Sequence, residues 1–219
     1  MPTINLCLEK LIGEALAQRG YAHLDGKFFG AHDPDLKEAC SAFVESCRDL
    51  PNDEHSSDGS RKRRYGTFVL LPWNWRLEPV PPVWDSEKAQ LVSRYMQSAH
   101  LNPEHGGRSR TFAPLTEEQI KNPFLQNAIL ASFLSIKGKL PSQPIAVGCH
   151  LIEHVAKPGS PAASSPDLIH QDGEPYTFAA LIERRGVRGG PVFRNRMAAW
   201  LRWILGWITP PISPRLLLA

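Results

Sequence analysis

Two short segments place metal-binding side chains close enough to share an ion. The first, His150-Leu-Ile-Glu153-His154, has the H-x-x-E-H spacing of a zinc peptidase. That chemistry needs both imidazoles one turn apart on a helix, with the glutamate beside them as base. The flanks favour a strand: Ile145, Val147, Leu151, Ile152 and Val155 are apolar and mostly β-branched, and Pro144 and Pro158 bound the run. On a strand His150 and His154 share a face while Glu153 points away from it. Two histidines lining a partly buried strand is the reading taken, with the peptidase behind it.

The second segment is His170-Gln171-Asp172-Gly173-Glu174, just ahead of an apolar run at Tyr176. In extended backbone residues i and i+2 project together, so His170 and Asp172 offer a neutral nitrogen and an anionic oxygen on one side. With a second histidine from elsewhere they make the facial triad of non-haem Fe(II) oxygenases, which leaves open positions for a co-substrate and dioxygen. The spacing alone is weakly specific: His23-Leu24-Asp25 repeats it in surroundings without metal-site features.

Elements must hold these residues in place. Apolar spacing predicts a helix over residues 4–18, stopped by Gly20, and a second over 34–50, with Asp33 as N-cap before Pro34. Residues 51–64 read as an exposed loop ending in the basic run Arg61 to Arg64, a solvated turn rather than a nucleic-acid contact. A strand follows at 65–71, helix-like spacing at 85–97, and a helix over 115–134 whose Thr116 and Gln119 form a capping box. Residues 144–156 and 176–182 read as strands, separated by a Pro/Ser/Gly loop at 157–166. Trp73, Trp75 and Trp84 are expected to pack into the core or cover the sheet. Helices first and strands after describe an α+β chain.

Composition narrows the class. The chain has 219 residues, 42% of them hydrophobic, and a net charge of +3, which suits a globular protein. The charge is divided: Glu183 is the last acid, so the first 183 residues carry −4 and the remainder, with seven arginines, +7. Four cysteines without paired spacing point to a reducing, cytoplasmic setting. No signal peptide is read at the start, and no apolar run reaches the about 18 residues of a membrane span.

The stretch from Ser165 to Gly190 resembles the iron(II)/2-oxoglutarate-dependent dioxygenases of the bacterial amino-acid hydroxylase branch, the isoleucine-dioxygenase-like family. The resemblance rests on Pro166, His170, Asp172, Gly173, the strand to Ile182, Arg184 and Gly189-Gly190. A second block is similar in the same order: Arg94 to Ser98, Asn102, Gly106-Gly107, Arg110 and Phe112 to Leu115. It implies a double-stranded β-helix, jelly-roll-like, flanked by N-terminal helices. It further implies Fe(II) and 2-oxoglutarate as cofactor and co-substrate, and dioxygen with a small substrate, a free amino acid, as partners. Nucleic acid is not expected as a partner, and a homo-oligomer is compatible. His170 and Asp172 would be metal ligands, and Gln97, Asn102 and Arg110 would lie near the substrate or co-substrate pocket.

The family's third ligand is a histidine downstream of this element, followed by an arginine. Here the eight histidines end at His170. The chain accordingly divides into a dioxygenase-like body, residues 1–190, and a basic, Trp-rich tail, residues 191–219, without the alternation of closing strands. The β-helix is therefore expected to lack its last strands, and the tail to derive from out-of-frame codons. Two other readings are an amphipathic docking segment and a third ligand taken from upstream, at His150 or His154. A catalytically inactive family member acting as a binding protein is the alternative function.

Overall fold

The computed structural model describes residues 6–24, 33–56, 58–99, 106–136, 138, 140–162, 174–183, 185–186 and 215–218. Helix α1, Leu6–Arg19, ends where Gly20 takes a φ of 76° and returns its N–H to the Leu16 carbonyl. A 3-10 turn, Pro34–Leu36, is capped by Asp33 and runs into α2, Lys37–Ser46. The strand predicted at 65–71 is longer: β1 spans Arg61–Leu71. It is followed by β2, Arg76–Val80, and then β3, Val83–Asp85, β4, Gln90–Met96, and β5, Ser109–Phe112. Helices α3, Glu117–Lys121, and α4, Pro123–Leu134, precede β6, Ile145–His154, β7, Thr177–Ala180, and β8, Arg215–Leu218.

The strands form a five-stranded sheet in the order β2-β1-β6-β8-β7 and a three-stranded sheet β3-β4-β5. Strands β1 and β6 are antiparallel over ten pairs, from Arg61 opposite His154 to Leu70 opposite Ile145. On one face of this ladder Phe68, Leu70, Val147 and Cys149 join Phe43, Leu125, Ile129 and Phe133 of the helices in the main core. Gly66 belongs to that face, where a Cβ would stand 2.7 Å from Leu115 Cδ1, so the connection between β5 and α3 closes on bare backbone there.

Several expectations change. The helix read at 85–97 is the end of β3, a turn and β4: Asp85 Oδ1 accepts the N–H groups of Glu87 and Lys88 in the turn, and β4 then pairs with β5. Leu91, Val92 and Tyr95 follow helical spacing, but the β-branched and aromatic content prevails once partner strands are present. The helix read at 115–134 breaks at Asn122-Pro123, where Asn122 caps α4 by accepting from Phe124 and Leu125 N–H. Arg61 to Arg64 lie in β1 rather than in a loop, because ten ladder pairs with β6 outweigh the local polarity. Trp73 and Trp84 are 60% and 62% exposed, and only Trp75 packs against the core. Residues 215–218, read as lacking strand character, form β8, which runs parallel to both β6 and β7.

Candidate active site

The other face of the β1–β6 ladder carries the polar chemistry. Alternation turns Arg61, Arg63 and Tyr65 away from the helical core, and their partners on β6 are His154, Ile152 and His150. The three-stranded sheet closes over them. Tyr65 N–H donates to the Ala113 carbonyl at 3.0 Å, and Leu115 N–H donates to the Tyr65 carbonyl at 3.3 Å, joining the two sheets just after β5. Tyr95 on β4 is registered with Arg110 on β5, and Phe112 follows two residues on, on the same face.

An aromatic box results. The His150 ring stacks on Tyr65 at 4.3 Å, meets Tyr95 edge-on at 5.1 Å and lies 6.0 Å from Phe112. His150 is 4% exposed. Glu153 pairs instead with Lys62, 3.2 Å away on the neighbouring strand. With β6 extended, the helical geometry of the H-x-x-E-H peptidase is absent from this segment.

Guanidinium groups gather at the rim of the box. Arg63 Cζ sits 5.1 Å above the centre of the Phe112 ring; Arg110 Cζ is 5.0 Å from Tyr95 and 5.9 Å from Phe112. Arg110 Nη2 donates to Gln97 Oε1 at 2.8 Å. Tyr95 donates its hydroxyl to Glu174 Oε1 at 3.3 Å, which brings the chain two residues beyond Asp172 beside this cluster.

Asp53 holds the arginines from the preceding loop. Its side chain is wholly buried, and Oδ2 accepts from Arg61 Nε at 2.6 Å and lies 3.2 Å from Arg63 Nε. The loop is fixed by Arg63 N–H donating to the Pro51 carbonyl and Asp53 N–H donating to the Arg61 carbonyl. Burial alone would raise the Asp53 carboxyl, but the Arg63 charge, the His55 N–H and Arg61 together hold it below the usual carboxylate value. Arg63 is brought down to about 10 by burial first and by Arg61, with Asp53 opposing, so it stays charged at neutral pH. Burial likewise lowers Arg110, against the attraction of Tyr95, Asp53 and Glu174.

Of the residues singled out from the sequence, the structure brings Gln97 and Arg110 into direct contact. Asn102, His170 and Asp172 lie outside the described residues. Among the described residues no group of three or more His, Cys, Asp or Glu is placed to hold a metal. The pocket donors do fit a carboxylate: Arg110 Nε is buried with no hydrogen-bond acceptor among the described residues. Arg63, Tyr65, Tyr95 and Asp53 were missed as site residues. The signal was the alternation Arg61-x-Arg63-x-Tyr65, which puts three like-facing side chains on a strand.

A model of the 2OG-Fe dioxygenase family matches residues 44–198. The chain is 25% identical over 179 residues to the 3(1)-hydroxy-L-isoleucine 4-dioxygenase of Pantoea ananatis, covering 76% of this chain and 67% of the relative. Among solved structures it is similar to a bsmA homologue from Methylobium petroleophilum PM1, with a TM-score of 0.61 and 22% identity. That match covers 77% of this chain and 64% of the other. It is also similar to IDO from Bacillus thuringiensis, with a TM-score of 0.57, 20% identity, and 77% and 67% covered. The chain thus spans about two thirds of the length of these relatives. The two structures share its fold, a jelly-roll of the dioxygenase type.

Proposed function

The chain belongs to the 2OG-Fe dioxygenase family, whose members use Fe(II) and 2-oxoglutarate, and on that premise we propose that it hydroxylates a small free amino acid. The observation that carries the reading is the half-buried Arg110, held by Gln97, whose buried Nε has no acceptor among the described residues. A free amino acid and 2-oxoglutarate both present the carboxylate that such a fork would take. The Pantoea ananatis relative, whose name specifies a hydroxylated isoleucine, supports an amino acid over other small molecules.

In this reading His170 and Asp172 hold the iron, and Gln97, Asn102 and Arg110 line the pocket. When bound, the iron with 2-oxoglutarate and dioxygen supplies the oxidising chemistry. With those groups bound, 2-oxoglutarate would be decarboxylated to succinate and a C–H bond of the substrate hydroxylated. Tyr65, Tyr95 and Phe112 form a buried cluster beside Arg110, which would keep water from its polar contacts. Residues 1–190 make up the catalytic body, followed by the basic stretch 191–219, whose residues 215–218 join the body's sheet as β8. No helix among the described residues is long and apolar enough to cross a membrane; the proposed setting is the cytoplasm.

The test is succinate release from 2-oxoglutarate in the presence of Fe(II) and a panel of free amino acids. Turnover stimulated by one amino acid and abolished by His170→Ala supports the proposal. Binding of an amino acid without any turnover favours the inactive binding protein instead.

A further inference from the structure

Two guanidinium groups from different sheets converge on one aromatic ring. Arg63 comes from β1 and Arg110 from β5, and their Cζ atoms lie 5.1 and 5.9 Å from the centre of Phe112. Like charges brought this close, with Arg63 only 9% exposed, repel and lose hydration unless an anion joins them. The anions on hand are already engaged. Asp53 is shared between Arg61 and Arg63, and Glu174 accepts from the Tyr95 hydroxyl. Among the described residues, three arginines against two carboxylates leave one positive charge over.

The hydrogen-bond inventory agrees. A guanidinium has five N–H donors. Arg110 uses one, to Gln97, and its buried Nε has no acceptor among the described residues. Arg63 Nε is within ion-pair distance of Asp53 but is not aligned for a hydrogen bond, and no other acceptor meets it among the described residues. Gln97 accepts from Arg110 on one side, and Asp53 lies against Arg63 on the other.

We propose that Arg63 and Arg110 form a two-pronged clamp for the carboxylate of a small-molecule ligand, with Asp53 and Gln97 orienting the prongs. The clamp deepens the amino-acid reading and rests on it for its choice of ligand. Two carboxylates are candidates for the same donors: that of the amino acid and one of those on 2-oxoglutarate.

Isothermal titration calorimetry on the full chain separates them, with L-isoleucine, 2-oxoglutarate and 2-methylbutylamine (isoleucine without its carboxylate) as probes. L-Isoleucine or 2-oxoglutarate is expected to bind, and 2-methylbutylamine to show no heat. Arg63→Met and Arg110→Met should each weaken the ligand that owns the carboxylate by about tenfold or more, leaving the other ligand unchanged. Arg63→Lys preserves the charge beside Asp53 and guards against misfolding; it should give an intermediate loss, with the far-UV circular dichroism of the parent chain. Unchanged affinities in both methionine variants, binding of the amine as tight as that of isoleucine, or no binding of either carboxylate by the parent chain would overturn the clamp. The calorimetry, run with and without Fe(II), reads binding rather than turnover, so a clamp that holds while succinate release fails leaves this inference standing and sinks the hydroxylase.

Discussion

Tyr65 and His150 are registered opposite each other across the β1–β6 ladder, and their rings stack at 4.3 Å with planes 29° apart. The pair is where the large sheet meets the small one, since Tyr95 and Phe112 pack against both rings. Tyr65→Leu removes the stacked ring and the oxygen to which Thr67 Oγ1 donates at 3.2 Å. The expected loss is about 1–3 kcal/mol, read as a lower urea midpoint at unchanged slope. An unmoved midpoint would mean that the stack contributes nothing to stability.

Asp53 gives the site a pH dependence of definite sign. Its carboxyl is lowered in the folded chain, so the stability it contributes is present above its unfolded value of about 4 and is lost as pH falls through the folded value. Asp53→Asn leaves Arg61 and Arg63 without their shared acid and should cost about 3 kcal/mol at neutral pH. In chemical denaturation at stepped pH, the gap between parent and variant should narrow below about pH 4. A gap that stays constant with pH would assign the loss to packing alone.

Gly66 and Leu115 share one volume. A Cβ on Gly66 would lie 2.7 Å from Leu115 Cδ1 and 2.8 Å from Cγ. Gly66→Ala should therefore destabilise by about 1–3 kcal/mol. Adding Leu115→Ala should recover part of this, so that the double variant loses about 1 kcal/mol less than the two singles together. Strict additivity in the double-mutant cycle would contradict the close approach.

Cys149 is buried in the core and Cys47 packs partly buried against it. Burial raises the Cys149 thiol far above its usual range, and raises Cys47 to about 11. Iodoacetamide at about pH 8, near the free-thiol value, should leave both unmodified in the native chain and label them after unfolding. Peptide mass spectrometry reads the outcome, and rapid native labelling of Cys149 would refute its burial.

Much of this architecture could be read from residue pattern. The stop at Gly20, the caps at Asp33 and Thr116, and the strand at β6 all follow from local chemistry that tertiary contacts did not override. The segment at β4 was misread because Leu91, Val92, Tyr95 and Met96 follow helical spacing, which pairing with β3 and β5 overrides. Arg63 escaped notice for a related reason. In a charge run it resembles a solvated turn, and its burial is visible only once β6 lies beside it and Phe112 above it. Gln97 and Arg110 were legible as polar residues in a familiar order, but their 2.8 Å contact depends on β4 and β5 folding back on each other. Strand β8 had no alternation to announce it, because a strand between two others is recognised by its neighbours rather than by one polar face.

The most direct measurement is Fe(II)-dependent conversion of 2-oxoglutarate to succinate by the full chain, with a panel of free amino acids and the variants His170→Ala and Arg110→Met alongside. The expected result is succinate release stimulated by at least one amino acid, absent in His170→Ala and weakened in Arg110→Met through a higher KM for the ligand whose carboxylate it binds. Succinate release that is the same in His170→Ala as in the parent chain, or none with any amino acid, would contradict the proposed amino-acid hydroxylase.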